Sequence, residues 1–147
     1  MARASRTERS TPRPLRPALH RAGQRATGQR EVVYEYLSSA RHHPTADDVY
    51  RAVRRRLPRV SLATIYSALE AFVRSGLASK LTYGDGAARY DVRTDPHSHA
   101  RCVRCGRVVD VEAVPAAAWL RRVRPRAFTP VGFRFELLGH CRACRPR

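Results

Sequence analysis

Two C-x-x-C pairs, Cys102-x-x-Cys105 and Cys141-x-x-Cys144, stand 35 residues apart in a chain of 147, and no other feature constrains the fold as much. Each pair can turn two thiolates toward one point, so the two together complete a closed tetrahedral set of four sulfurs. With every position taken by sulfur, no place is left for water or substrate, and the set reads as structural. Zn2+ is the usual occupant of such a framework; a rubredoxin-like iron site and a thiol redox switch share the same sulfur pattern. A chain of this length has room for one ordinary domain or two very small ones. A module of about 50 residues draws too little from its own core, and a bound metal ion supplies the missing folding free energy.

The compartment supports metal over disulfides. No apolar run reaches the roughly 18 to 20 residues needed to span a bilayer, and the basic start is not followed by an apolar segment. The chain is therefore expected in the cytoplasm, with no membrane partner, where thiols stay reduced.

Charge points to the partner. The formal net charge is +17, from 29 cationic side chains, all arginine except Lys80, against 12 carboxylates. Such an excess suits a polyanion, because each cation laid against a phosphate releases condensed counterions. Residues 1–14 hold Arg, Ser, Thr and Pro with almost nothing to bury, and read as a disordered basic arm that can follow a DNA backbone or simply solubilise the chain.

The apolar spacing predicts helices next. Val32, Val33, Tyr36 and Leu37 form one stripe over residues 29–39, with Thr27 as the cap. Thr45 and Asp48 form a capping-box pattern ahead of Ala46, Val49, Tyr50, Val53 and Leu57, predicting a helix that runs to Pro58. Ser61 opens a third helix, in which Leu62, Ile65, Leu69, Phe72 and Val73 face the core and Ala63, Thr64, Ser67, Glu70 and Arg74 face away, until Gly76 stops it. Leu81, Tyr83, Ala88, Tyr90 and Val92 alternate about the turn Gly84-Asp85-Gly86 as a hairpin does. Three helices and a hairpin give the order of a winged helix-turn-helix domain, assigned to residues 15–92. Residues 93–147 change to short apolar runs, Val108 to Val111, a helical piece near Ala116 to Val123, and Phe133 to Leu138, and are assigned to a smaller α/β module. The fold class is α+β.

A second donor set precedes the cysteines. In an extended segment His97 and His99 project to one face and can reach one ion. Asp91 ends the hairpin, Asp110 follows the first cysteine pair, and His43 opens the loop before the second helix. Sequence spacing alone does not bring these together; three imidazoles and two carboxylates without sulfur, once gathered, suit Fe2+ or Mn2+.

The runs HPTADDVY (His43 to Tyr50), SLATIYSALEAFVRSGL (Ser61 to Leu77), LTYGDGAARYD (Leu81 to Asp91), HSHARCVRCGRVVDV (His97 to Val111) and GHCRAC (Gly139 to Cys144) resemble the ferric uptake regulator family in order and spacing, over residues 15 to 145. Within it they are most similar to the peroxide-sensing branch. The resemblance implies a homodimeric repressor of double-stranded operator DNA, with residues 93–147 as its dimerisation module. It implies a structural zinc on Cys102, Cys105, Cys141 and Cys144, and a regulatory Fe2+ or Mn2+ on His43, Asp91, His97, His99 and Asp110. It further implies hydrogen peroxide as the signal, with His43 or His97 as the oxidised ligand, and Ser61, Thr64, Tyr66 and Ser67 on the DNA-facing side.

The chain departs from the family's pattern in three places. Only His140, beside Cys141, occurs where many iron-sensing relatives carry another histidine ligand; Ser67 follows Tyr66 where a basic or amide residue is usual; and Gly28 replaces a common proline. Three other readings stay open on the residues: an iron- or manganese-responsive uptake repressor that ignores peroxide, a small non-haem iron enzyme with His97, His99 and a carboxylate as its triad, and a zinc-ribbon nucleic-acid module. The basic surface and the lack of a substrate-pocket pattern argue against the enzyme.

Overall fold

In the computed structural model, which describes residues 12–84, 86–95, 97–111, 127–129 and 135–146, three hydroxyl side chains close the starts of three helices. Thr27 accepts a hydrogen bond from the Arg30 N–H at the start of α2 (Gly28–Ser39). Thr45 accepts one from the Asp48 N–H, and Asp48 accepts one in return from the Thr45 N–H, at the start of α3 (Ala46–Val53). Ser61 accepts one from the Thr64 N–H at the start of α4 (Leu62–Arg74). Each cap satisfies an N–H that the helix itself leaves unpaired.

A further helix, α1 (Leu15–Arg21), comes first and was not expected from the sequence. Leu15, Ala18 and Leu19 give it one apolar side, and Pro17 sits in the first turn, where a missing N–H costs no helical bond. The Tyr34 hydroxyl ties its approach to α2 by donating to the Arg13 carbonyl at 2.8 Å.

The chain divides into two units, Met1–Asp95 and Pro96–Arg147. In the first, α2 contributes Val33, Tyr34 and Leu37 to the core, α3 contributes Val49 and Val53, and α4 contributes Ile65, Leu69 and Phe72. Tyr34 and Phe72 meet edge to face with centroids 5.3 Å apart. The buried stripe of α4 also takes in Ala68 and Ala71, while Leu62 and Val73 are only partly buried at its margins; Val32 and Tyr36 of α2 are likewise marginal.

Helix α3 is shorter than the sequence suggested. It ends at Val53, and residues 54–56 turn away, with the Arg56 and Leu57 N–H groups both donating to the Val53 carbonyl at 2.9 Å. Beyond α4, Gly76 takes φ +64, which lets the Leu77 N–H reach back to the Phe72 carbonyl at 2.9 Å and ends the helix.

The wing pairs β1 (Ser79–Leu81) with β2 (Arg89–Asp91) in antiparallel register, Lys80 opposite Tyr90. It is shorter than the alternation predicted, since Tyr83, Ala88 and Val92 fall outside the strands. Asp85 of the expected turn lies outside the described residues. On its other edge β2 bonds the segment ahead of α3: the Tyr90 N–H donates to the Pro44 carbonyl at 2.9 Å, and Thr45 bridges Arg89. Four helices followed by this hairpin give the winged helix-turn-helix.

The second unit is built on a three-stranded sheet in the order β4-β3-β5. Here β3 (Ser98–Cys102) pairs antiparallel with β4 (Val108–Val111) and parallel with β5 (Glu136–Gly139). The helical piece expected near Ala116 to Val123 lies outside the described residues, as do Phe133 and Arg134 at the start of the last apolar run. Within the described residues the chain is α+β, as read from the sequence. No helix among them is long and apolar enough to cross a membrane.

Candidate functional site

The cysteines are set by the ends of the sheet. The Cys102 N–H donates to the Arg107 carbonyl and the Gly106 N–H donates to the Cys102 carbonyl. This tight knuckle needs Gly106 at φ +69, a region that disfavours a side chain. At the other end the Cys144 and Arg145 N–H groups both donate to the Cys141 carbonyl at 2.9 Å, and the Val103 N–H donates to Gly139, which stitches the two knuckles together. All four Sγ atoms lie within 4.8 Å of one another, with Cys105 and Cys141 at 3.7 Å. A tetrahedral ion with metal–sulfur bonds of about 2.3 Å places its sulfurs about 3.8 Å apart, so the spacing fits Zn2+.

The electrostatics fit it as well. Backbone N–H groups of Cys141 and Cys105 pull the Cys102 thiol down to about 6. Cys144 is pushed up to about 12, chiefly by its hydrogen bonds with the Cys105 and Cys141 sulfurs. Four sulfurs this close cannot all ionise on their own; a dication supplies the charge that lets them.

In the first unit His43 and Asp91 meet: Nε2 to Oδ2 is 3.7 Å, and both side chains are buried. The wing causes this. Arg89 donates to the His43 carbonyl at 2.9 Å, and its neighbour Tyr90 bonds Pro44, so β2 delivers Asp91 beside the loop that holds His43. The Arg93 N–H donates to Asp91 Oδ1 at 2.8 Å and orients the carboxylate. Neither Pro44 nor Arg89 was singled out in the sequence; both act by positioning.

In the second unit His97 and His99 converge with Nε2 atoms 3.0 Å apart and rings edge to face. Asp110 Oδ1 stands 3.9 Å from each of those nitrogens. The cross-strand register, His99 opposite Asp110, puts them on one face of the sheet. Two imidazole nitrogens and a carboxylate oxygen aimed at one point form a donor set for a divalent cation with oxygen and nitrogen preference.

On α4, Tyr66 is 44% exposed, so it is a surface residue and not part of the core. Ser61 and Ser67 are exposed and Thr64 is half-buried. The Ser61 hydroxyl, 2.8 Å from that of Thr64, also serves the helix as its cap.

Residues 21–137 match the profile of the ferric uptake regulator family. The chain belongs to that family. It is 41% identical to the peroxide operon regulator of Bacillus subtilis, over 86% of this chain and 88% of that one. It is 37% identical to the peroxide-responsive repressor PerR of Staphylococcus epidermidis, over 87% and 86%. Among solved structures, the manganese-bound ferric uptake regulator of Pseudomonas aeruginosa matches at 30% identity with a TM-score of 0.65, covering 86% of this chain and 96% of that one. The ferric uptake regulator of Helicobacter pylori matches at 19% identity with a TM-score of 0.74, over 90% and 89%, and testifies to the fold alone. These named members of the ferric uptake regulator family are regulators, which matches the family expected from the sequence motifs.

Proposed function

We propose that the chain is a metal-dependent transcriptional repressor that acts in the cytoplasm as a homodimer. It binds palindromic operator DNA with Fe2+ or Mn2+ in place and lets go when hydrogen peroxide oxidises a ligand histidine. The observation that carries this reading is the identity of 37 to 41% to named peroxide regulators over nearly nine-tenths of the chain.

Cys102, Cys105, Cys141 and Cys144 hold a structural Zn2+. His43 and Asp91, together with His97, His99 and Asp110, hold the regulatory ion. Asp91 and His97 are six positions apart, a link of at most about 20 Å that permits the two donor sets to share one ion. A ligand that needs donors from both units favours the arrangement that brings them together, and that difference in affinity is the coupling energy.

Val109, Ala100 and Leu137 share one row across the sheet by register, and Val109 and Leu137 are each 47% exposed. This apolar row supports pairing with a second copy, which a palindrome demands. Tyr66, with Ser61, Thr64 and Ser67, is carried by α4 into the major groove.

Ferrous iron, held there, would supply the electrons that reduce hydrogen peroxide, chemistry that no side chain here has. His43 and His97, as its imidazole ligands, would be the rings next to that reaction, and a ring that had gained oxygen would be a poorer donor, so the site would loosen. With Mn2+ the same five residues sustain repression without this oxidation.

The test is DNA retardation by the zinc-loaded protein with Mn2+, with Fe2+ under anaerobic conditions, and with chelator, each before and after brief peroxide. Binding is expected with either metal, none with chelator, and loss after peroxide in the iron form only. Binding that follows both metals and survives peroxide would make the protein a metal-uptake repressor.

A further inference from the structure

The end of α3 and the turn into α4 carry Arg51, Arg54, Arg55, Arg56 and Arg59, all exposed. Their outward placement is forced by the residues between them: Val53 and Val60 are buried and Leu57 packs against the core. Two of the five are engaged. Arg56 pairs with Glu35 at 2.8 Å, and the Arg54 guanidinium lies over the Tyr50 ring, 5.3 Å from its centroid. Among the described residues no carboxylate lies within ion-pair distance of Arg51, Arg55 or Arg59. Asp48, the acidic residue nearest Arg51 in the chain, is held by the Thr45 cap.

Like charges gathered this way repel one another and weaken the fold, and a polyanion relieves that cost. Position identifies the polyanion. Arg59 stands two residues before Ser61, the cap of α4. The start of a recognition helix enters the major groove, and the turn ahead of it rides over the sugar-phosphate rim. The DNA-facing residues Ser61, Thr64, Tyr66 and Ser67 carry no formal charge, so α4 neutralises no phosphate through them. Arg51 on α3 and Arg55 in the turn after it line a shallow hollow of about 420 Å3 with His42, Tyr36 and Asp48; the Asp48 carboxylate there is taken up by the Thr45 N–H and hydroxyl.

We propose that Arg51, Arg55 and Arg59 form a phosphate-binding rail beside the recognition helix. It provides the salt-dependent, sequence-independent part of operator affinity. This rests on the reading of the chain as a DNA-binding repressor.

The test uses the full-length protein with zinc and Mn2+, a duplex selected by the parent protein from a randomised pool, and its scrambled counterpart. Dissociation constants are measured across salt concentrations for the parent, for R51Q/R55Q/R59Q and for R51K/R55K/R59K. Each phosphate left without its arginine lowers the slope of log affinity against log salt by about 0.9. The glutamine variant is therefore expected to lose between about 2 and 3 from that slope, to keep its preference for the selected duplex over the scrambled one, and to keep its zinc content. The lysine variant is expected to retain the slope. An unchanged slope in the glutamine variant overturns the proposal, as does an equal reduction of the slope in the lysine variant. A parent that retards neither duplex under any metal condition overturns the DNA reading itself, a distinct result.

Discussion

His43 Nε2 stands 3.7 Å from Asp91 Oδ2 in the buried part of the first unit, although 47 residues separate them in the chain. A histidine and a carboxylate placed thus offer a cation two donors from one unit. Replacing His43 or Asp91 by Ala is expected to weaken Mn2+ binding by at least about 100-fold, the upper end of what losing a mere outer-shell partner costs. The zinc content should not change. Calorimetric titration with Mn2+ reads the first and elemental analysis the second; an unaltered Mn2+ affinity in both variants removes these residues from the site.

The four thiols make zinc affinity depend on pH. Cys144 is held up to about 12 and so keeps its proton at neutral pH, whereas Cys102, down to about 6, has mostly lost its own. Zinc must displace the protons that remain, so binding releases protons and affinity falls as the pH is lowered. Cys105→Ser and Cys141→Ser are expected to abolish stoichiometric zinc and to dissociate the proposed homodimer, while the helical signal of the first unit persists in circular dichroism. Variants that stay dimeric without zinc would contradict this.

Thr45→Ala removes the capping box and should cost about 1 kcal/mol in denaturant unfolding. The sign of its pH dependence follows from Asp48. Burial raises that carboxyl, but the hydrogen bonds from Thr45 and the charges of Arg89 and His42 outweigh it and leave it below the ordinary value. A depressed carboxyl contributes stability above its unfolded pKa and loses it as the pH falls through the folded one. The gap between parent and variant is therefore expected to be full at neutral pH and to shrink below the ordinary aspartate range; a gap that widens in acid would refute the assignment.

Tyr66→Ala should leave stability within about 0.5 kcal/mol, since an exposed side chain away from caps and core matters little to folding. It should reduce the preference for the selected duplex over a scrambled one by about 1 to 3 kcal/mol. If unfolding shifts and the preference does not, Tyr66 is a structural residue.

The local signals in this sequence were easy to read and the long-range ones were not. Thr27, Thr45 and Ser61 announced three helix starts because an N-cap depends only on residues a few positions away. Helix α1 escaped because Leu15, Ala18 and Leu19 make a short apolar stripe interrupted by Pro17 and arginines, and its burial comes from later helices. Leu57 falls at a helical spacing from Val53, yet a turn at residues 54–56 and not a continued α3 returns it to the core. The meeting of His43 with Asp91 depends on long-range contacts of β2, Tyr90 with Pro44 and Arg89 with the His43 carbonyl, and spacing carries no trace of them. The four cysteines were legible because the repeated C-x-x-C already fixes two donors at each end.

One measurement bears most directly on the account: peptide mapping by mass spectrometry over His43 and His97 after brief peroxide exposure of the zinc-loaded protein with Fe2+ or Mn2+, disulfides reduced, with DNA retardation on the same samples. One added oxygen is expected on either histidine in the iron form alone, accompanied by loss of DNA binding. Intact histidines in the iron form, with DNA binding that still follows the metal, would contradict it.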